Sequence, residues 1–221
     1  TINGQAVTCG ASIGIAMAPG DGEDGITLMK NADLALYRAK HEGKATYHFF
    51  EPSLDEAARQ RRQLEIDLRV AINAGGFELN FQPLYSLAEK RLTGFEALIR
   101  WNHPTRGRIN PIEFIALAEE TGLIIEVGRW AIEQAIEDYL RWHRAGLPAV
   151  RIAVNVSPIQ LRDPAFVDDV RRLISVDPLA PAGLELEITE SMIMTDIEQS
   201  IETLRALREM GVQIAIDDFG T

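Results

Sequence analysis

The chain has 221 residues, 46% hydrophobic and 25% charged, which is typical of a globular protein with one large core or two smaller ones. It carries 33 acidic and 22 basic residues, and no run of Lys or Arg could follow a nucleic-acid backbone, so a nucleic-acid polymer is not the expected partner. A small anionic ligand is compatible with the net charge of -11, because a bound divalent cation can reverse the potential of an acidic pocket. The single cysteine, Cys9, fits a reducing compartment, which we take to be the cytoplasm, and we expect a buried strand thiol. We find neither a membrane-spanning run nor a signal peptide in this piece.

The first fifty residues predict a strand, a helix and a second strand. Small and branched residues alternate over residues 7–18 and end at a Pro-Gly turn, which indicates a strand. Apolar residues at helical spacing predict a helix over 26–41, and 47–50 is a short strand. This is too little for a complete domain of typical size, so we interpret it as the end of one.

A charged segment, residues 52–74, then carries a rough apolar seam and stops at Gly75 and Gly76. We interpret it as a helix that joins two domains, because a self-associating coiled coil needs a longer and cleaner seam.

From residue 77 onward, strands alternate with helices. Segments 77–87 and 92–101 are separated by a short turn and should pair antiparallel. Ser157 followed by Pro158 predicts a helix start, while Gly146 and Gly211 predict helix ends. The alternation implies parallel strands joined by helical crossovers, in either an open sheet or part of a barrel. The predicted helices are 111–120, 124–145, 159–174 and 197–210, and the predicted strands are 150–156, 184–188 and 212–216.

Four of these strands carry an acid or amide where an apolar residue would be the neutral choice. Alternation places Glu96, Asn155, Glu187 and Asp217 on the side away from the packing helices. In a parallel barrel that direction is the interior, and active sites form at the carboxyl ends of the strands. Oxygen ligands suit Mg²⁺ or Mn²⁺, and the adjacent Asp218 is the extra carboxylate that a second ion about 4 Å away would require.

Simpler interpretations of the same residues stay open. Glu96 could form a structural ion pair with Arg100 on its own strand, and Asn155 could hydrogen-bond a neighbouring strand end. Asp217 or Asp218 could instead cap a following helix. Glu185 and Glu190, which flank Glu187 at opposite or terminal positions, could face solvent. The four histidines show no ligand spacing, and His103 is expected in a loop.

Two motifs in the first region carry a resemblance. VTCGASIGIA, from residue 7, and ADLALYRAKHEGK, from residue 32, are similar to the C-terminal third of GGDEF diguanylate cyclase domains. The Gly-Gly-Asp-Glu-Phe signature of that family is absent from this chain. We therefore do not expect this piece to make cyclic diguanylate.

Five short motifs follow one another along the second region: FQPL at 81–84, FEALIRW at 95–101, NVS at 155–157, EITES at 187–191 and DDFGT at 217–221. Together they resemble the EAL domain of cyclic diguanylate phosphodiesterases. The resemblance implies an α/β fold: an incomplete TIM-like (β/α) barrel of EAL type that opens with an antiparallel strand. A partial α/β domain of GGDEF type at 1–51 and a linking helix at 52–75 would precede the EAL part at 76–221.

The resemblance also implies a mechanism, in which two Mg²⁺ or Mn²⁺ ions assist hydrolysis of cyclic diguanylate to pGpG. Gln82, Leu98 and Arg100 would bind the substrate, and Glu190 would steady a mobile loop. Glu96, Asp217 and Asp218 would be catalytic. The implied metal ligands are Glu96, Asn155, Glu187, Asp217 and Asp218.

The family pattern continues past Thr221, where a lysine, a further glutamate and the last three barrel strands would follow. We therefore expect the parent protein to be the hydrolase, and this piece to be poorly stable with little or no activity. The alternatives are a domain that binds cyclic diguanylate without cleaving it and an unrelated Mg²⁺-dependent barrel enzyme. For the parent, the resemblance implies sensory domains, homodimerisation through the EAL domain and an option of anchoring to the inner membrane.

Overall fold

The computed structural model describes residues 10–41, 44–88, 90–147 and 150–217, without the side chains of His41 and Thr195. The chain divides into two compact units, Thr1–Leu64 and Glu65–Thr221. None of the helices in these described ranges has both the length and the apolar character needed to cross a bilayer.

The first unit contains a parallel strand pair and a helix. Strand β1 (Ile13–Ile15) pairs with β2 (Tyr47–Phe49), and α1 (Gly25–His41) connects them. The predicted order of strand, helix and strand is confirmed, but β1 is much shorter than the predicted 7–18. Cys9 and the start of that segment lie outside the described residues.

Helix α2 (Pro52–Ala74) matches the predicted connecting helix. The division between the two units falls within it. In its second half Leu68 and Ala71 are buried, which follows from the apolar seam in the sequence.

The second unit is built on one mixed sheet. The strand order is β3-β4-β6-β7-β8, and β5 pairs with β4 outside that order. The pair β3–β4 is antiparallel, as predicted, while β4, β6, β7 and β8 are mutually parallel. The strands are β3 (Phe77–Ser86), β4 (Arg91–His103), β5 (Gly107–Ile109), β6 (Arg151–Asn155), β7 (Leu184–Thr189) and β8 (Gln213–Asp217). The helices are α3 (Pro111–Thr121), α4 (Ile124–Arg144), α5 (Pro158–Leu161), α6 (Phe166–Ile174), α7 (Ala180–Gly183), α8 (Glu190–Thr195) and α9 (Ile197–Glu209).

The core lies between this sheet and its helices. Ile152 and Val154 of β6 and Leu186 and Ile188 of β7 are almost completely buried and belong to one apolar cluster with residues of α4 and α6. Because side chains alternate along a strand, the residues between them must lie on the opposite side of the sheet. We call that opposite side the polar face; it carries Gln82, Glu96, Asn155, Glu187 and Asp217.

Two local predictions were wrong. The predicted helix 159–174 is interrupted between α5 and α6, where Pro164 has no N–H and disfavours helical geometry in the preceding Asp163. His103 is not in a loop, because it is the last residue of β4 and is 7% exposed. Its Nε2 lies 3.0 Å from Asp67 Oδ2, and its Nδ1 accepts hydrogen bonds from the backbone N–H groups of Thr105 and Arg106. It is therefore a hydrogen-bonded core residue.

Candidate active site

The sheet register brings the polar side chains of separate strands together. Gln82 of β3 lies directly opposite Glu96 of β4, and Asn155 of β6 lies directly opposite Glu187 of β7. Asp217 is two residues beyond Ala215, which lies opposite Glu187. Five neighbouring strands therefore place these groups side by side on the polar face.

Glu96 and Asn155 are joined directly. The Asn155 Nδ2 donates a hydrogen bond to Glu96 Oε1 over 2.8 Å. This contact uses the amide N–H of Asn155 and does not involve its Oδ1, which is an oxygen of the type that hard cations prefer. Asn155 therefore does bond to a neighbouring strand, as the simpler interpretation allowed, and its partner Glu96 is itself a predicted metal ligand.

Arg100 does not form the alternative ion pair with Glu96 within the described chain. Its Nη1 donates to the backbone oxygen of Ile99 over 2.9 Å, and the side chain is half-buried. Arg100 shares the polar face with Glu96 because the two are four residues apart on one strand. Its charge is therefore near the acidic cluster without being neutralised by Glu96.

Glu187 reports the electrostatics of the cluster. Burial, and after it the negative charges of Glu96, Asp217 and Glu185 in that order, together raise the pKa of the half-buried Glu187 carboxyl from 4.5 to about 7. The shift therefore has two causes: removal of the carboxyl from water, and the nearness of other carboxylates, both of which disfavour its charged form. The polar face is a site with excess negative charge.

Glu185, for which the sequence left a solvent-facing position open, is half-buried. It lies on the same face as Glu187, two residues earlier on β7, and its Oε2 is 3.7 Å from Arg151 Nη1. The reason is the strict alternation of a strand, in which residues two apart share a side. Glu185 lies nearer the start of the strand than Glu187 and has a cationic partner, so we do not count it among the predicted metal ligands.

The remaining predicted residues lie close in the fold. Leu98 is half-buried between Glu96 and Arg100 on β4, and Gln82 is exposed on β3. Glu190 is the first residue of α8, immediately after β7, and is half-buried. Asp218 falls outside the described residues, so its predicted metal role and its alternative as a helix cap stay predictions.

One element next to the site was overlooked in the sequence. The Ser157 side chain caps α5, as predicted, but the capping is reciprocal because the Gln160 side chain returns to the Ser157 backbone. A Ser followed three residues later by Gln is the sequence signal of this capping box, and it would have identified Gln160.

The donor set is compatible in kind with Mg²⁺ or Mn²⁺. Among the described residues, no three His, Cys, Asp or Glu side chains are grouped closely enough to hold an ion by themselves. The cluster does offer carboxylate and amide oxygens, which are the ligands that hard divalent cations prefer. The donor atoms of these residues are thus of the type that a hard divalent ion binds.

Comparison with known families agrees with this arrangement. The model of the EAL domain matches residues 65–221, and the model of the diguanylate cyclase GGDEF domain matches residues 1–46. The chain belongs to the EAL domain family. The EAL match covers the unit that carries the polar face, and the resemblances seen in both regions of the sequence are confirmed.

Several relatives align over the whole chain. An uncharacterized signaling protein of Caulobacter vibrioides is 45% identical over 99% of this chain and 27% of its own length. The bifunctional diguanylate cyclase/cyclic di-GMP phosphodiesterase MucR of Pseudomonas aeruginosa is 43% identical over 100% of this chain and 32% of its own length. The chain therefore spans about a third or less of these relatives.

Solved structures of EAL domains share the fold. A phosphodiesterase structure of PaMucR in complex with c-di-GMP superposes with a TM-score of 0.68 at 42% identity, covering 72% of this chain and 64% of that one. The EAL enzyme Bd1971 in its cGMP-bound form gives a TM-score of 0.65 at 29% identity, covering 90% of this chain and 52% of that one. The predicted fold class, part of an EAL-type TIM-like barrel, is confirmed.

Proposed function

We propose that the protein carrying this EAL domain hydrolyses cyclic diguanylate to pGpG with the help of two Mg²⁺ or Mn²⁺ ions. The observation that carries the proposal is the grouping of carboxylates on the polar face, where Asn155 bonds to Glu96 and the charges of Glu96 and Asp217 add to burial in raising the pKa of Glu187. Two relatives support the substrate: MucR, and the cyclic di-GMP phosphodiesterase NbdA of Pseudomonas aeruginosa, which is 40% identical over 100% of this chain. Water would add across one phosphodiester bond of the cyclic dinucleotide.

The metal-binding role falls to the cluster. Glu96, Asn155, Glu187 and Asp217, together with Asp218, would hold the ions through carboxylate and amide oxygens. When bound, the two ions would supply Lewis acids for a phosphate oxygen and lower the pKa of a water molecule. The Asn155–Glu96 hydrogen bond orients both ligands before any ion arrives, which reduces the cost of organising the site.

The substrate-binding role falls to β3 and β4. Arg100 can exchange its hydrogen bond with the Ile99 backbone for a bidentate bond to a phosphate, which fits the planar guanidinium. Gln82, opposite Glu96, offers an exposed amide next to the cluster. Leu98 provides an apolar surface between them for part of the dinucleotide.

The remaining predictions about the whole protein are proposals of the same kind. We propose that α2 links a GGDEF-type region, 1–51, to the EAL region, 76–221, with 52–75 as the linker. Glu190, at the start of α8, would steady a neighbouring loop. The parent would act in the cytoplasm, carry sensory domains and dimerise through its EAL domain.

Product analysis tests the proposed function. The full protein would be incubated with cyclic diguanylate and Mn²⁺, and with EDTA as a control, and pGpG would be followed by chromatography. We expect pGpG only when the metal is present. Binding of cyclic diguanylate without pGpG would contradict hydrolysis and leave a sensor; cleavage in EDTA would contradict the metal requirement.

A further inference from the structure

We propose that Gln160 is a positioning residue that sets the metal affinity of the polar face by fixing the turn directly after Asn155. The proposal rests on the proposed function, because it assigns Asn155 to the metal site. Gln160 itself is buried in the body of the domain, with 3% of its surface exposed, and does not belong to the ligand set.

The first step is the hydrogen bonding of the turn. Gln160 Oε1 accepts a hydrogen bond from the Ser157 backbone N–H over 3.1 Å, and Ser157 Oγ accepts one from the Gln160 backbone N–H, also over 3.1 Å. Ser157 is two residues after Asn155. This pair of bonds therefore fixes the direction in which the chain leaves β6, immediately after the predicted metal ligand.

The second step is the space in which the Gln160 amide sits. Gly128 is a buried residue within α4, and a Cβ added there would overlap the Nε2, Cδ and Oε1 atoms of Gln160. A glycine in the middle of a helix is unfavourable relative to alanine. Here the glycine leaves room for the Gln160 amide. The side chain therefore packs closely against α4, while its Oε1 accepts the hydrogen bond from the Ser157 N–H.

The third step connects the turn to the cluster. Between Asn155 and Ser157, the Val156 N–H donates to the backbone oxygen of Glu187 over 2.9 Å. Asn155 in turn donates to Glu96 over 2.8 Å. A change in the direction of this turn would therefore shift Asn155 relative to both neighbouring ligands. Loss of such supporting contacts typically weakens metal binding about tenfold or more.

Three variants of the full protein separate positioning from stability. Gln160→Ala removes the acceptor, and Gly128→Ala forces the intact Gln160 amide out of its place. In the double variant the new methyl group occupies part of the vacated space and no longer meets a side chain, so packing is largely restored while the acceptor is still missing. Mn²⁺ binding would be measured by electron paramagnetic resonance of the free ion, and unfolding by thermal melting.

We expect all three variants to bind Mn²⁺ about tenfold more weakly than the wild type. The melting temperature should drop in each single variant and return to within a few degrees of wild type in the double variant. Asp177→Ala serves as the matched control: it removes a side-chain hydrogen bond to the Leu179 N–H, 3.0 Å long, on the side of β7 where that strand begins. It should lower the melting temperature without changing Mn²⁺ affinity.

The outcomes distinguish this inference from the proposed function. Wild-type Mn²⁺ affinity in the double variant would overturn the positioning role of Gln160, whether or not the protein makes pGpG. A wild type that binds Mn²⁺ but makes no pGpG would overturn hydrolysis, while weaker Mn²⁺ binding in the double variant would still support the positioning role. A wild type that binds no Mn²⁺ would overturn both.

Discussion

The two sides of the EAL sheet are made by the same strands, yet they have opposite energetic characters. On the helix-facing side Ile152, Val154 and Leu186 are at most 2% exposed, and their burial stabilises the fold. On the polar face, burial and the charges of neighbouring carboxylates, which lie two residues away or one to two strands away, raise the pKa of Glu187. One side supplies stability, and the other holds an electrostatic strain that a cation would relieve. Substitutions on the two sides should therefore affect different measurements.

The largest effect is expected from Glu96→Ala on the polar face. Because it removes a proposed metal ligand and the acceptor of the Asn155 amide, turnover of cyclic diguanylate at micromolar Mg²⁺ should fall at least about a thousandfold, or about 4 kcal/mol. Glu133→Ala, on the exposed side of α4, is the control and should keep wild-type turnover. A wild-type rate in Glu96→Ala would remove this residue from the ligand set.

The helix-facing side should respond in stability instead. Leu186→Ala removes a side chain that is 0% exposed, and the free energy of unfolding should drop by about 3 kcal/mol. Urea unfolding followed by tryptophan fluorescence measures it, because Trp101, Trp130 and Trp142 all lie in the second unit. The exposed Gln213→Ala should change stability by less than about 0.5 kcal/mol. Equal losses in both variants would contradict the division between the two sides.

Arg100→Ala should act mainly on substrate binding. The loss of a guanidinium that can bond a phosphate should raise KM about tenfold, with a smaller change in kcat. Steady-state kinetics would measure both constants. Arg100→Lys keeps the charge without the bidentate geometry and should be intermediate, whereas the exposed Arg108→Ala should leave KM unchanged. An unchanged KM in Arg100→Ala would count against a phosphate contact.

The smallest effect concerns pH and stability in metal-free protein. Below pH 4.5 the folded and unfolded chains both hold the Glu187 proton; from there to about pH 7 only the folded chain holds it, so the unfolding free energy falls as pH rises. In EDTA, Glu187→Gln should therefore be more stable than wild type by about 1 kcal/mol at pH 8, allowing for solvent screening, and equal to it at pH 4. Urea unfolding at the two pH values measures the difference, and a Gln variant less stable at pH 8 would contradict it.

Local patterns were sufficient for most elements and for the division of residues between the two sides. Strand alternation and helical spacing depend only on neighbours along the chain. The structure contains β6, β7, α2 and α4 where these patterns predicted them. The break at Pro164 could also have been recognised locally. The short strand β5 could not, because three residues become a strand only by pairing with the end of β4.

Strand alternation, which is a property of the backbone, was enough to predict that acids and amides occur on one side of several strands. The contacts between side chains could be read only from the folded chain: Asn155 rather than Arg100 contacts Glu96, Glu185 pairs with Arg151, and His103 bonds to Asp67. These partners are brought together by the register between strands and by packing between segments that are far apart in the chain. Strand register and long-range packing produce no periodic pattern in the sequence from which such contacts could be predicted.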